Sequence, residues 1–242
     1  MAADLTVYHT NDMHGREFCL DHLEGAPLGP EALLVDVGDA IRGSNTMFRR
    51  REPILQRMAR LGYAAMAMGN REFHYTRAVQ RWRQADRGFP ILAANLEDRR
   101  TRSCLWQDSL VVERAGVRVG LVGATPVQYP IGAVWERLSG FRFLAPEQCL
   151  PPLMEDLRPR CDVLLFLSHL GYDRDRDLRD RLGPVDLIVG GHTHTVLDAP
   201  DRDGRVPIVQ TGSHGRFLGR LDLWLGDPMR LEYSLIPTAR AA

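Results

Sequence analysis

Residues 185–194 read Val-Asp-Leu-Ile-Val-Gly-Gly-His-Thr-His, a short apolar run that meets two glycines and then presents His192 and His194 on either side of one threonine. A run of that length closed by glycine reads as a buried strand. Two imidazoles crowded into the turn beyond it would leave polar groups wasted unless they bind something. Four more apolar runs end the same way: TVYHT enters Asn11-Asp12-Met13-His14-Gly15, LLVDV enters Gly38-Asp39, AAMAM enters Gly69-Asn70, and LLFL enters Ser168-His169. Candidate ligands just past the carboxyl ends of strands fall where open α/β sheets place their binding crevice.

Further apolar runs, PILAA, VRVGLVG, VPIVQ and FLGRLDLWL, complete the strand reading. PILQRMARLG has helical character, with Pro53 suited to a first helical position and Gly62 to a C-terminal cap; HYTRAVQRWRQAD and DRDRDLRDRL read likewise. Alternating strands and helices predict a single α/β domain over residues 1–242, and hairpin-like neighbours VPIVQ and RFLGRLDLWL predict a mixed sheet. The stretch from RRTRSCLWQ to PIGAVWERLSG is the least regular and is read as long loops.

Acidic and basic residues balance at 31 each, so no whole-protein field draws nucleic acid or an anionic membrane. Every basic residue is arginine, which excludes P-loop and Schiff-base chemistry, since both need lysine. The N-terminal stretch lacks the pattern of a secretory signal and predicts a cytoplasmic location. Cys19, Cys104, Cys149 and Cys161 form no C-x-x-C pair and are read as buried reduced thiols. Arg49-Arg50-Arg51-Glu52 is read as a solvated face in a chain that is not basic overall, and Trp82, Trp106, Trp135 and Trp224 as packing residues first.

Asp, Asn and His without Cys suit divalent Mn, Zn or Fe. Seven such residues, Asp12, His14, Asp39, Asn70, His169, His192 and His194, are too many for one ion and fit two ions sharing a carboxylate. With TNDMHG, VDVGDAIRGS, LGYAAMAMGNREF, ILAANL, VGLVGATP, LSHLG, GGHTH and GSHGRFLGRLDL in this order, the chain resembles the calcineurin-like metallophosphoesterases, in particular the catalytic domain of the 5′-nucleotidase branch. The resemblance implies two packed mixed β-sheets flanked by helices, a four-layer αββα fold. It also implies one metal on Asp12, His14, bridging Asp39 and His194, and a second on Asp39, Asn70, His169 and His192. The implied reaction is in-line attack of metal-activated hydroxide on phosphorus.

The chain departs from that branch at Asn70-Arg71-Glu72-Phe73-His74, where the family carries His at position 71 and Asp at position 74. A helix starting at Glu72 would set Arg71 and His74 on one face, Arg71 to clamp the phosphoryl group and His74 to protonate the leaving oxygen. His214 is a candidate substrate contact, with Arg216 and Arg42 behind it; His9 is read as pointing away from the metals and His22 as a surface residue. The C-terminal nucleotide-binding domain of the branch is expected to be absent. The expected partner is a small phosphate ester, with no nucleic acid duplex and no membrane. The alternatives are a cyclic nucleotide phosphodiesterase and a weakly active metal-binding module that recognises phosphorylated ligands or a protein.

Overall fold

The computed structural model describes residues 2–26, 28–86, 88–104 and 106–238. Among them, six strands make one sheet in the order β13 (Arg230–Pro237), β12 (Phe217–Trp224), β1 (Leu5–Thr10), β2 (Ala32–Asp36), β3 (Tyr63–Ala67) and β4 (Ile91–Leu92). Five make a second in the order β11 (Ile208–Val209), β10 (Leu187–Gly190), β9 (Val163–Ser168), β7 (Val117–Ala124) and β6 (Ser109–Arg114). A short ribbon pairs β5 (Leu96–Asp98) with β8 (Phe141–Phe143). β1 to β4 run parallel, with β12 antiparallel to β1 and β13. β7, β9, β10 and β11 run parallel, with β6 antiparallel at the edge. Both large sheets are therefore mixed.

The two-residue alternation of a strand assigns each side chain to a layer. Leu33 and Val35 of β2 meet Leu165 and Leu167 of β9 between the sheets, in a core shared with Val7, Ala65, Leu121 and Val189. Leu34 faces the other way, toward α1 (Phe18–Gly25) and α2 (Pro53–Leu61), whose Leu20, Leu23, Ile54, Leu55 and Met58 cover the first sheet. Leu164 and Phe166 likewise face α5 (Pro146–Leu157) and α6 (Tyr172–Leu178), through Leu150, Met154 and Leu178. Covered on both faces, β2 and β9 are apolar at nearly every position, which is why they read clearly as continuous runs. The layers are αββα, as expected.

α2 begins with Pro53 in its first turn and ends on Gly62 in the left-handed conformation. α3 (Arg77–Asp86) starts later than the HYTRAVQRWRQAD pattern suggests, and no helix begins at Glu72: residues 70–76 form a turn and loop. The single helical face proposed for Arg71 and His74 is therefore not formed. VPIVQ and RFLGRLDLWL are not hairpin neighbours, because β11 lies at the edge of the second sheet while β12 pairs with β1 and β13 in the first. VRVGLVG forms β7 as read, and the rest of the stretch read as irregular holds β6 and α4 (Val134–Ser139). The four cysteines are free, but Cys104 is exposed rather than buried. No helix among the described residues is long and apolar enough to cross a membrane.

β9 is the middle strand of the second sheet, so Leu165→Ala opens a cavity that neither sheet can collapse into. Urea denaturation is expected to show a loss of about 2–5 kcal/mol. Leu110→Ala, on the half-buried edge strand β6, is expected to lose less than about 1.5 kcal/mol on the same measurement.

Candidate metal centre

β1, β2 and β3 are parallel neighbours in one sheet, and β9 and β10 are parallel neighbours in the other. Their carboxyl ends deliver Asp12, Asp39, Asn70, His169 and His192 to one cleft, and the turns after β1 and β10 add His14 and His194. The backbone bends hard to do so. Asp12, His14, Asp39, His192, His194 and His214 all adopt positive φ, between 50° and 74°. Asp and His tolerate this region better than most residues, yet each such turn is strained by roughly 1 kcal/mol or more. Among described non-glycine residues only Arg102 and Ala115 share the conformation.

Asp12 is fully buried and its two oxygens have separate tasks. Oδ2 accepts the Asn11 side-chain amide at 2.9 Å and the His192 backbone N–H at 2.8 Å. Asn11 is itself held by the Gly212 carbonyl at 2.6 Å and by Thr211. Oδ1 is left with no hydrogen bond. It lies 3.4 Å from His194 Nε2, 3.8 Å from His14 Nε2 and 3.9 Å from His169 Nε2. His169 gives Nδ1 to the Val37 carbonyl, so Nε2 carries the lone pair into the cleft, 3.5 Å from Asp39 Oδ1. Burial opposes a charge on His169, but the facing carboxylates of Asp39 and Asp12 outweigh it and raise its pKa to about 10. The two carboxylates thus draw a proton where a cation would otherwise sit.

Donor atoms within 4.8 Å of one another form two groups among the described residues: Asp12, His14 and His194, and Asp12, Asp39 and His169. Asp12 belongs to both, whereas Asp39 belongs to the second alone. A tetrahedral ion with bonds of about 2.1 Å has donor-to-donor edges of about 3.4 Å, close to the spacings in both groups. His14 and His194 bring their Nε2 atoms to 3.0 Å. His192 falls in neither group, its ring 5.1 Å from that of His169, and Asn70 presents a buried Oδ1 without a hydrogen bond. Burial and the His169 charge lower the His192 pKa. Asp12 Oδ1, Asn70 Oδ1 and His169 Nε2 are each buried and unsatisfied, an expensive state that divalent cations would relieve. The residues fit a pair of such ions.

Glu72, absent from the expected ligand set, holds the cleft from behind. Its carboxylate accepts backbone N–H groups of Asp39 at 2.8 Å, Gly69 at 3.0 Å and Ile41 at 3.2 Å. Burial and the Asp39 charge raise its pKa to about 7. Gly69 must be glycine, since a Cβ there would stand 2.2 Å from Asp39 N and 2.3 Å from Asp39 Oδ1. From α3, the buried Arg83 guanidinium donates to the carbonyls of Arg71, Glu72, Phe73 and Ser44, at 2.7 to 3.0 Å. The sequence signal for Glu72 is its place in the Asn-Arg-Glu-Phe string, where the carboxylate turns back to the Asp39 loop instead of starting a helix.

Arg71 stays at the site: its N–H donates to Asp39 Oδ1 at 2.7 Å, and its Nε lies 3.7 Å from Asp39 Oδ2. His214 joins the cluster, its ring 5.1 Å from His14 and 5.7 Å from His194. His74 points elsewhere. Its Nδ1 accepts the Thr76 N–H at 3.0 Å and its ring packs edge-on against Phe48 at 6.5 Å. No hydrogen bond or ion pair among the described residues ties it to Arg71 or to the carboxylates. Arg42 is bound to the Gly15 carbonyl at 3.2 Å, and Arg216 is exposed. His9 is buried, stacked on Tyr233 at 5.9 Å and held neutral by burial, as expected for a residue of β1. His22 is half-buried on α1.

The calcineurin-like phosphoesterase profile matches residues 5–196. This chain belongs to that family. It is 28% identical to the protein UshA of Yersinia enterocolitica over 97% of its own length and 52% of the relative's. It is 27% identical to a 5′-nucleotidase of Vibrio vulnificus, over 96% of itself and 51% of that protein. The chain therefore spans about half the length of these curated relatives. A 5′-nucleotidase precursor from Thermus thermophilus superposes with a TM-score of 0.77 at 26% identity, over 96% of this chain and 54% of that one. The phosphoesterase YfkN of Bacillus subtilis shares the fold, with a TM-score of 0.78 at 20% identity over 97% of this chain and 90% of that one.

Replacing Glu72 by Gln puts an amide N–H against one of three backbone donors. Thermal unfolding is expected to show a loss of about 1–3 kcal/mol. Metal titration by calorimetry is expected to show about 10- to 100-fold weaker binding, in keeping with outer supports of metal sites. Unchanged affinity would remove Glu72 from the support of the centre.

Proposed function

We propose that this phosphoesterase hydrolyses small phosphate esters at two divalent cations, Mn, Zn or Fe, held by Asp12, His14, Asp39, Asn70, His169, His192 and His194. The observation that carries the reading is the buried, unsatisfied Asp12 Oδ1, shared by both donor groups in a chain of this family. When bound, such ions neutralise phosphoryl charge and activate a water nucleophile.

The protein's own groups supply position and charge. Asn11 and the His192 N–H pin Asp12, Val37 pins His169, and Glu72 pins the backbone at Asp39. Arg71 stands beside Asp39 on one side and His214 beside His14 and His194 on the other, so a phosphoryl group seated at the ions has a guanidinium and an imidazole within reach. Arg71 can donate paired hydrogen bonds to phosphoryl oxygens, which builds stabilisation into the transition state rather than proton transfer. His74, packed against Phe48, is assigned no proton-transfer role. Because relatives are named 5′-nucleotidases, nucleoside monophosphates are the first esters to test. Cyclic phosphodiesters are the competing substrates, since the position usually held by His is Arg71. The intact donor set speaks against a module that has lost turnover.

Metal-stripped protein is expected to be inactive and to regain turnover with Mn, Zn or Fe on a panel of phosphomonoesters and 2′,3′- and 3′,5′-cyclic diesters. Asp39→Asn should abolish that recovery; full activity without metal, or in Asp39→Asn, would refute the reading. Arg71→Ala is expected to lower kcat about 10²–10³-fold, with KM changing much less. His74→Ala should alter turnover of p-nitrophenyl phosphate and of an alkyl phosphate by the same small factor. A selective loss on the alkyl ester would restore His74 as the proton donor.

A further inference from the structure

The triplet Arg49-Arg50-Arg51 follows Phe48 directly in the chain, and the fold brings Trp82 of α3 to the same place. Phe48 and Trp82 pack with ring centroids 5.1 Å apart and planes tilted by 34°, and Trp82, at 53% exposure, lies open on α3. They line a groove of about 560 Å³ with Arg50, Arg51 and Ala85. Across α3 lies a second groove of the same volume, where Arg77, Arg81, Arg99, Arg100 and Arg137 gather beside Tyr75. Trp135, 55% exposed on α4, packs on Tyr75 at 5.3 Å.

Among the described residues, the lining of neither groove includes a carboxylate. Arg77 is matched by Asp98 and Arg99 by Glu136. Arg50, Arg51, Arg81, Arg100 and Arg137 are exposed and make no ion pair with a described carboxylate. In a chain whose charges balance overall, this is a local band of unmatched guanidinium groups flanking one helix. The helix is firmly seated, since Arg83 on its buried side binds the loops that carry Arg71 and Ser44.

We infer that the two grooves on either side of α3 form a binding surface for single-stranded nucleic acid. Guanidinium groups on both flanks suit a phosphodiester backbone, and the exposed rings of Trp82, Phe48 and Trp135 offer platforms for unstacked bases. A duplex keeps its bases stacked and would leave those platforms unused. An acidic polypeptide matches the charge but not the rings. The surface is separate from the metal cluster, and the inference does not depend on which ester is hydrolysed.

The test is fluorescence anisotropy of the metal-loaded protein with a labelled oligothymidylate of ~12 nucleotides that bears no terminal phosphate. Saturable binding is expected at about 50 mM NaCl, weakening at least tenfold by about 200 mM as counterions are released. Trp82→Ala should weaken it about fivefold or more. Arg50→Glu combined with Arg51→Glu should flatten the salt dependence. Both variants should turn over p-nitrophenyl phosphate as the parent does, which keeps this surface distinct from the centre. Circular dichroism checks their fold, and if the double variant misfolds, Trp82→Ala alone decides. No saturable binding at the lower salt, unchanged affinity in Trp82→Ala, or equal competition by duplex DNA or polyglutamate of the same length would overturn the inference.

Discussion

The structure depends on the orientation of one carboxylate. Asp12 is sealed from solvent between the two sheets, and its Oδ2 is committed to Asn11 and to the His192 backbone. That leaves Oδ1 turned toward three imidazoles with nothing else to bind. A buried carboxylate oxygen left without a hydrogen bond is costly for a fold to keep. The surrounding chain tolerates it by over-determining every neighbour: Asp12 N–H is held by the Gly38 carbonyl, His14 N–H by the Asp39 carbonyl, and His214 N–H by the Asp12 carbonyl. Three loops are thus bound to one another by main-chain hydrogen bonds before any side chain is considered.

This network explains why the strained residues cluster. A left-handed turn at Asp12, His14, Asp39, His192, His194 or His214 lowers stability at that residue. Two mixed sheets can absorb the loss because the apolar core they share is continuous. The strands supply rigidity and the turns spend part of it on geometry. Glu72 and Arg83 act at the next remove, one collecting three backbone N–H groups and the other several carbonyls.

How legible each part was in the sequence follows from the range of the interaction that forms it. β2 and β9 were plain because burial on both faces leaves an unbroken apolar run, and the ligands stood out because Asp, Asn and His repeatedly followed such runs. β6 and β13 were missed because they mix exposed and half-buried positions, so neither an apolar run nor a clean alternation marks them. α5 was hidden by Pro151 and Pro152, which ordinarily argue against a helix interior. The start of α3 was misplaced for another reason. Residues 70–76 are shaped by Glu72 reaching back to Asp39 and by Arg83 of α3 reaching back to the carbonyls of 71–73, contacts that no local pattern encodes.

The surface teaches the complementary lesson about spacing. Trp82 stands about thirty residues from the arginine triplet in sequence, so the two looked like unrelated features, one a packing residue and the other a solvated face. The fold sets α3 against the loop after β2, and the aromatic and cationic groups become one surface. The same loop reaches the metal cleft through the Arg71 side chain and the Gly43 carbonyl. A charge balance taken over the whole chain cannot reveal such a band, because acids paired or buried on other faces cancel it in the sum without screening it in space. Local field, not net charge, decides what this face of the protein can hold.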